Sequence, residues 1–256
     1  MPQRAVFGQA SKLSRTMHDI RYDETHDEFL VTNPFAEAIL TFRGGANGQE
    51  GPIRIIQGPK TGETASRLDV DPIHNEIFVP SGNRIRVYPR EANGDVAPIR
   101  IIEGPDTQLK EADSLAIDPI NNIIVVSSSQ SSNDPENAKI LIFNRTDSGN
   151  VKPRAMIRGP KSGIIRINQM AVYPPKRLIV ATMPGLVDSM EPPDAFLGVW
   201  SYDDNGDIPP KWKLPVGLKT TLKKPFGVVL NPKNKEVIIS DMRQNGVLTF
   251  SLPEIF

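Results

Sequence analysis

One eight-residue phrase occurs twice in this chain with a single difference, as PIRIIQGP at 52–59 and PIRIIEGP at 98–105. A degenerate copy of the phrase, PQRAVFGQ, lies at 2–9. A sequence that repeats itself at a regular interval is built from copies of one supersecondary unit, and this restricts the fold more than composition does. The glycine of the phrase recurs through the chain and serves as a marker: Gly8, Gly58, Gly104, Gly159 and Gly217.

Each marker glycine is followed by three more shared phrases. The first of them reads HDIRYD, SRLDVD, DSLAID, NQMAVY and FGVVLN, beginning at residues 18, 66, 113, 168 and 226. Each unit therefore holds four short runs rich in Val, Ile, Phe and Leu, separated by Gly, Pro and Asn turn signals such as Asn47-Gly48 and Asn93-Gly94. Four antiparallel strands at a period of about 40–50 residues are typical of a β-propeller blade. We predict an all-β, five-bladed β-propeller.

The ends of the chain predict how the ring closes. The predicted blades of this single domain, 1–256, are 17–59, 65–105, 112–160, 167–217, and 225–256 together with 2–9. The last unit has three strand phrases. The degenerate copy at 2–9 is a fourth-strand phrase that is not preceded by the first three strand phrases of a unit. We predict that this N-terminal strand completes the last blade, since an unclosed ring leaves unpaired sheet edges. The alternative is six blades, with one lost or supplied by another chain.

Composition narrows the possible partners. The 256 residues carry no net charge, so a nucleic acid or an acidic lipid gains no global electrostatic attraction. There is no apolar run of about 18 residues and no signal-peptide pattern at the start. The absence of cysteine excludes disulfides, thiolate zinc sites and cysteine nucleophiles. We expect a cytoplasmic monomer that binds a protein or a small molecule, with no membrane or nucleic-acid partner.

The phrase DSLAIDPINNIIVVSS at 113–128 resembles the G-I-A-V-D…G-N-I-Y-V-A-D pattern of NHL-type propeller repeats. The resemblance covers nearly the whole chain, but its motifs are core and turn positions. Related propellers in that broad group include lactone hydrolases of the gluconolactonase kind, with a divalent metal in the central channel, and others that only bind proteins, peptides or RNA. The glycine that usually opens the first strand is present only as Gly227, so this channel mouth departs from the pattern.

The first strand of each blade lines the central channel of a propeller, and polar residues cluster where these strands begin. The predicted ligand-binding residues of the channel mouth are His18, Asp19, Asn33, Ser66, Arg67, Asp113, Ser114, Asn168, Gln169 and Asp241. Oxygen ligands suit calcium or magnesium, which could polarise a carbonyl or activate water. The candidate metal ligands are Asp19, Asp113, Asn168 and Asp241. The alternative is that polar side chains merely line a wet channel.

Two long connections lie on the face of the ring that carries the channel mouth. They are 128–139 and 183–196, whereas the turns of the opposite face are short and uniform. Long loops on one face of a rigid scaffold are where binding surfaces usually form. We therefore predict function on the channel-mouth face, toward blades three and four, with Leu186, Met190 and Phe196 as partner contacts.

Several repeated polar residues have a structural interpretation. His26 and His74 occupy the same place in equivalent turns, so we interpret them as turn residues. An aspartate stands directly before each of three such turns, where its side chain can accept hydrogen bonds from the backbone two residues on. These predicted turn caps are Asp23, Asp71 and Asp118.

Basic residues on the outer strands are the remaining charged feature. Arg4, Arg54 and Arg100 share one fourth-strand position, and we predict solvent-facing edge charges there, with an acidic partner as the alternative. The stretch KWKLPVGLKTTLKK at 211–224 contains five lysines and no acid. We interpret it as a solvated strand and loop, with a nucleic-acid or acidic-protein patch as the alternative.

Two functions from different classes remain open. The first is a binding or scaffold propeller with its ligand or partner on the channel-mouth face. The alternative is a divalent-metal-dependent hydrolase of the gluconolactonase type at the channel mouth. The chain has no G-x-S-x-G, H-E-x-x-H, P-loop or dinucleotide motif. A Ser-His-Asp arrangement through Ser66, His18 and Asp113 can be drawn from equivalent positions of neighbouring blades.

Overall fold

Five small antiparallel sheets follow one another along the chain and form the blades of a propeller. The computed structural model describes residues 2–15, 17–62, 66–129, 137–186, 189, 191–217 and 220–256. Within each sheet the strands pair in the order in which they occur in the sequence. The prediction of an all-β, five-bladed propeller is confirmed.

The strands coincide with the repeated sequence phrases. Blade one contains β1 (Ile20–Asp23), β2 (Glu28–Asn33), β3 (Ala38–Arg43) and β4 (Arg54–Gln57). Blade two contains β5 (Asp69–Asp71), β6 (Glu76–Ser81), β7 (Arg84–Pro89) and β8 (Arg100–Glu103). Blade three contains β9 (Leu115–Asp118), β10 (Ile123–Ser128), β11 (Lys139–Asn144) and β12 (Ala155–Ile157). Blade four contains β13 (Gln169–Tyr173), β14 (Leu178–Met183), β15 (Phe196–Ser201) and β16 (Trp212–Pro215). Blade five contains β17 (Pro225–Asn231), β18 (Glu236–Asp241) and β19 (Gly246–Ser251).

Helical structure in the described residues is limited to single 3₁₀ turns. These turns are Gln9–Ser11, Pro34–Ala36, Pro105–Thr107, Pro174–Lys176 and Pro253–Ile255. Among the same residues no helix has the length and apolar character needed to cross a bilayer.

The turn between the first and second strands is closed by the aspartate that precedes it. Asp71 Oδ1 accepts hydrogen bonds from the backbone N–H groups of Ile73 and His74, each at 2.9 Å. Its Oδ2 lies 2.7 Å from His74 Nδ1. Asp23 makes the same set of contacts with its own turn, including a 2.7 Å contact to His26 Nδ1. The structural interpretation of both histidines and of these aspartates is confirmed.

The marker glycine lies where a fourth strand passes the hairpin of the next blade. Gly58 has φ +138°, and a Cβ there would approach Asp95 Cγ to 2.5 Å. Asp95 itself accepts a hydrogen bond from the backbone N–H of Lys60 at 2.7 Å. Beside it, Ile56 forms a parallel bridge with Gly94. The repeated phrase therefore encodes both the pairing of the fourth strand and its contact with the following blade.

One side chain reaches back across the boundary between successive blades. It belongs to the residue that follows the third strand, and it binds a carboxylate of the preceding blade. The three pairs are Arg90 with Glu28 at 2.6 Å, Arg145 with Glu76 at 2.7 Å, and Tyr202 with Asp118 at 2.8 Å. Blade five has Leu252 at this position, packed in the apolar cluster that blades four and five share. These contacts fix each blade against the one before it.

Blade one has glycine at the same position. A Cβ on Gly44 would lie 1.9 Å from Asp27 Oδ1, so the site has no room for a larger residue unless Asp27 moves. Four apolar clusters each join two neighbouring blades. The fifth cluster consists of blade-one residues with Val6 and Leu13 packed against them. Among the described residues, the boundary between blades five and one therefore has glycine at the bridging position and no apolar cluster shared by the two blades.

The N-terminal segment forms one of the two sets of contacts that its predicted position requires. Val6 forms a parallel bridge with Gly48, the contact that Ile56 makes with Gly94. The Ala5 backbone N–H also donates to Asn47 Oδ1 at 3.0 Å. On the other side the sheet of blade five consists of β17, β18 and β19, without a ladder between β19 and residues 2–8. Residues 2–8 therefore take the predicted place against blade one, but their predicted pairing with β19 is not formed, because Gly44 supplies no side chain to bridge this boundary.

The prediction of solvent-facing charges on the outer strands is wrong for Arg54 and Arg100. Arg54 pairs with Glu28, and Arg100 Nη2 lies 2.9 Å from Glu76 Oε2. The two glutamates begin the second strands of their blades, on the same sheet face, within reach of a long arginine side chain. Both arginines are therefore largely buried in ion pairs, whereas Arg4 is exposed.

We predict that Tyr202→Phe lowers the free energy of unfolding by about 1 kcal/mol, because buried Asp118 loses a hydrogen bond across the blade boundary. Burial raises the pKa of the Tyr202 hydroxyl, which therefore remains a donor. Urea unfolding measures the change. Tyr22→Phe, at an exposed tyrosine, is the control with a smaller expected effect. Equal urea midpoints for Tyr202→Phe and the wild type would contradict a stabilising contact.

Candidate functional site

The boundary between blades five and one leaves apolar surface exposed. Ile20 occupies the first-strand position of Leu68 and Leu115, which face the preceding blade. Leu68 is 0% exposed and Leu115 is 1% exposed, but Ile20 is 59% exposed. On the facing side Val229 is also 59% exposed. Surface that the other blades bury against each other is accessible here.

A cleft of about 880 Å³ lies at this open boundary. It is lined by blade one, by the N-terminal segment and by Phe226, Gly227 and Ser240 of blade five. Its wall along blade one is apolar and contains Val6, Leu13, Ile20, Phe29 and Val31. The cleft is large enough for a small-molecule ligand, and concave apolar sites of this size are the usual binding sites of such molecules.

The inner end of the cleft is polar and reaches the channel mouth. Five of the predicted channel-mouth residues meet here: His18, Asp19, Arg67, Asn168 and Gln169. Arg67 Nη2 donates to Asn168 Oδ1 at 3.4 Å, and Gln169 Nε2 donates to Asp19 Oδ1 at 3.5 Å. These are long hydrogen bonds, so the group is only loosely connected. Buried Arg67 Nε has no hydrogen-bond acceptor within the described part of the chain.

Asp19 is the buried carboxylate of this group. It accepts hydrogen bonds from the backbone N–H of Ile20 at 3.0 Å and of Leu68 at 3.3 Å. Arg21 Nη1 also donates to it at 2.8 Å. Burial raises the pKa of Asp19 above its ordinary value of 3.8, against the opposing effect of Arg21 and Arg67. Its acceptor capacity is largely used inside the protein.

Arg21 and Asp69 extend the network and were missed from the sequence. Arg21 Nε lies 3.4 Å from Asp69 Oδ1, and Asp69 Oδ2 accepts the backbone N–H of Ile117 at 2.8 Å. Burial raises the pKa of Asp69 as well. The aligned first-strand phrases contained a signal for both residues. Arg21 and Asp69 occupy the position that holds Ala116 and Ala171 in blades three and four. Charged residues at a position that is otherwise small and apolar indicate a polar channel.

The four candidate metal ligands do not form one group: Asp19 and Asn168 line the cleft, whereas Asp113 and Asp241 are not part of its lining. Asp113 lies beside Arg67, with Asp113 Oδ1 3.7 Å from Arg67 Nε, whereas Asn168 Nδ2 donates to the Phe226 carbonyl at 3.1 Å. Asp241 accepts four backbone N–H groups of its own loop and blade, those of Lys223, Lys224, Arg243 and Gln244. In the described residues no group of three or more His, Cys, Asp or Glu side chains is placed to hold a metal. The binding of a divalent cation stays a prediction.

Asn33, Ser66 and Ser114 are further predicted residues of the channel mouth. Asn33 Oδ1 accepts a hydrogen bond from Ser14 Oγ at 2.7 Å, and its Nδ2 donates to the Lys12 carbonyl, so it holds the segment before β1. The Ser66 carbonyl accepts a hydrogen bond from Thr32 Oγ1 at 3.1 Å. The Ser114 hydroxyl is buried without a partner in the part of the chain that is described. In that same part, no hydrogen bond joins the side chains of Ser66, His18 and Asp113.

The predicted partner loop is only partly accessible. The prediction that Phe196 contacts a partner is wrong, because Phe196 begins β15 and is buried against Trp200, with ring centroids 6.3 Å apart. Its position in the strand directs the ring into the core between blades three and four. Leu186 is exposed, and Met190 lies outside the described residues.

A second cavity, of about 320 Å³, lies between blades two, three and four. Its lining includes Asp113, Ser128, Lys139 and Arg166. Lys139 is buried, and burial lowers its pKa, helped by the charges of nearby basic residues. This cavity adjoins the loops of blades three and four, where a functional surface stays a prediction.

The fold and the cleft define a class: a five-bladed β-propeller with a ligand-sized opening at one blade boundary. In comparisons with known proteins, no protein-family model and no curated protein matches the sequence.

We predict that Asp19→Asn changes the pH dependence of stability. As pH rises above 3.8, the wild type must ionise a carboxyl group whose folded-state pKa is raised, so it loses stability relative to the variant. The stability of the variant minus that of the wild type should therefore increase with pH and then level off. Urea unfolding between about pH 4 and 8 measures this difference. The exposed Glu24→Gln provides the baseline for losing one charge, and a difference for Asp19→Asn that falls with pH would contradict the prediction.

Proposed function

We propose that this protein is a binding propeller that holds a small amphipathic ligand in the cleft between blades five and one. One observation carries the proposal: the cleft of about 880 Å³ joins an apolar wall to the polar channel mouth. A concave apolar site with a few converging polar groups is the usual form of a small-molecule site.

The apolar wall supports a ligand with a hydrocarbon body. Ile20 is 59% exposed, although the equivalent residues of the other blades are buried. Phe29 and Val31 line the same wall. A ligand that covers these side chains removes apolar surface from water, which stabilises the complex by roughly 25 cal/mol per Å² of buried area.

The channel end supports an acidic head group. Asp19 already accepts four hydrogen bonds from the protein, whereas the buried Arg67 Nε, 3.7 Å from Asp113 Oδ1, has no hydrogen-bond acceptor among the described residues. Exposed Arg4 and His18 also line the cleft. Arg4, Arg67 and His18 can therefore donate hydrogen bonds to a bound anion, and a carboxylate accepts such bonds.

Binding is favoured over hydrolysis by the placement of the carboxylates. The metal-dependent alternative needs oxygen ligands that converge on one cation, but Asp241 is engaged by backbone N–H groups of its own loop. The resemblance to NHL-type repeats is compatible with binding, since that group includes propellers that only bind. We propose that the protein acts as a monomer, and the absence of cysteine suits the reducing cytoplasm.

Octanoate is the probe for this proposal, because it combines an eight-carbon chain with a carboxylate. We predict saturable binding by isothermal titration calorimetry, with a Kd on the order of 100 µM. Octanol, which has the same chain without the charge, should bind at least about tenfold more weakly. Absence of heat with both probes would overturn the proposed site.

Two variants test the two ends of the cleft. Arg67→Gln should weaken octanoate binding about tenfold but leave octanol binding unchanged. Ile20→Trp fills the apolar end and should weaken both probes. Arg243→Gln and Ile120→Trp are matched controls at exposed positions outside the cleft lining. If the controls weaken binding as much as Arg67→Gln and Ile20→Trp do, the probe binds elsewhere.

A further inference from the structure

Blade five has a free strand edge. In each of the other four blades the third strand pairs with a fourth, but in the described part of the chain no fourth strand pairs with β19. Val247 in β19 is 69% exposed, whereas its equivalents Ile39 and Ile85 are 1% and 0% exposed. The six residues of β19, GVLTFS, include no charge and no proline, the features with which proteins usually block such edges.

A hydrogen bond found in four blades lacks its counterpart in the fifth. In each case the residue directly before the fourth strand donates its backbone N–H to a carbonyl of the third strand. The four bonds are Ile53 to Thr41, Ile99 to Val87, Arg154 to Ile142 and Lys211 to Val199, at 2.7–2.8 Å. Thr249 is the equivalent acceptor in β19, and no described residue donates such a bond to its carbonyl. The edge of β19 therefore presents backbone groups in the geometry that accepts a strand.

A carboxylate beside this edge also lacks its arginine. Glu28 and Glu76 begin the second strands of blades one and two, and each binds an arginine from its fourth strand, Arg54 or Arg100. Glu236 begins the second strand of blade five. Its carboxylate accepts hydrogen bonds from two side-chain amides, those of Asn231 at 2.9 Å and Asn234 at 3.3 Å, and the described residues give it no guanidinium.

We propose that the free edge of β19 binds an extended peptide strand of a partner protein, with an arginine of that strand paired to Glu236. The register follows from blades one and two, where the arginine lies opposite Thr41 or Val87 and an isoleucine two residues later lies opposite Ile39 or Ile85. In blade five these positions are Thr249 and Val247. The partner strand therefore carries arginine followed two residues later by an aliphatic residue. This is recognition by strand addition, with backbone hydrogen bonds supplying affinity and the arginine supplying selectivity.

The chain's own N-terminal segment is engaged elsewhere. The Phe7 backbone N–H donates to the Gly48 carbonyl at 2.9 Å, and the Gly48 N–H donates to the Ala5 carbonyl at 2.7 Å. These bonds hold the segment on blade one and leave the β19 edge accessible. The proposed edge is separate from the ligand cleft, whose blade-five lining does not include β19. Failure of one proposal therefore leaves the other intact.

The first test uses a fluorescein-labelled peptide, PIRIIQGP, which has the sequence of the fourth strand of blade one. Fluorescence anisotropy with the full chain should show saturable binding, with a Kd on the order of 10–100 µM. Replacing the arginine by glutamate, to give PIEIIQGP, should weaken binding at least about tenfold, because two carboxylates then face each other. N-methylation of the first isoleucine should weaken it similarly, because the hydrogen bond to the Thr249 carbonyl is lost. Equal binding of all three peptides, or no binding of the first, would overturn the proposal.

The second test changes the protein. Glu236→Gln should weaken binding of PIRIIQGP about tenfold, whereas Glu254→Gln, an exposed glutamate of the same blade's last turn, should leave it unchanged. Far-ultraviolet circular dichroism checks that both variants fold. Unchanged affinity for the folded Glu236→Gln variant would place the peptide elsewhere. If the Glu236→Gln variant does not fold, the comparison of the three peptides with the wild-type protein tests the proposal.

The third test asks whether the chain itself occupies the edge. Val6→Cys with Val247→Cys places thiols opposite each other if residues 2–8 pair with β19 in the same register, and the chain has no cysteine of its own. Val6→Cys with Ser251→Cys is the out-of-register control. We expect both double variants to stay uncrosslinked under mild oxidation and to bind PIRIIQGP. A disulfide within one chain would mean that the N-terminal segment, and not a partner protein, occupies the edge of β19. A disulfide between chains would mean that a second copy of the chain occupies it.

Discussion

The side chain that reaches back from each blade to the one before it determines how the ring is held together. Arg90, Arg145 and Tyr202 each bind a buried carboxylate of the preceding blade, and Leu252 packs there in an apolar cluster. Breaking such a contact leaves a buried carboxylate with one donor fewer, which is costly in a medium of low dielectric. Where this position is Gly44 the bridging contact cannot form, and both the ligand cleft and the free edge of blade five lie on that side of blade one.

Much of the fold could be predicted because the repeated phrases encode local pairing. Turn residues such as Asp71 and marker glycines such as Gly58 act within a blade or at its nearest neighbour, so their positions alone located the strands. The contacts of Arg54 and Phe196 depend on which side chains lie across the sheet, and strand alternation alone does not specify these. The pairing of residues 2–8 with β19 depends on the approach of two distant blades. Gly44 offers no bridging side chain at the boundary between those blades, and it lies outside the strand phrases.

The candidate site divides in the same way. Asp19, Arg67, Asn168 and Gln169 were located from the sequence because equivalent starts of first strands converge on one axis. The apolar wall was not located, because Ile20 occupies a repeat position that is buried in every other blade. Its exposure reflects the absence of a neighbour, and no residue type signals that in the sequence.

In the described part of the chain, the boundary between blades five and one is the one without a bridging side chain, and the ring therefore behaves like a linear stack of blades. A closed ring of equivalent blades has no terminal unit, so each blade is stabilised by two neighbours. With Gly44 at one boundary, blades one and five each have one strongly packed neighbour and become the ends of an array of five units. In such nearest-neighbour systems the ends lose structure first and the central units last. Blade three is joined to both of its neighbours, through Arg145 and Tyr202. It is therefore the central unit of the array, which loses its structure last.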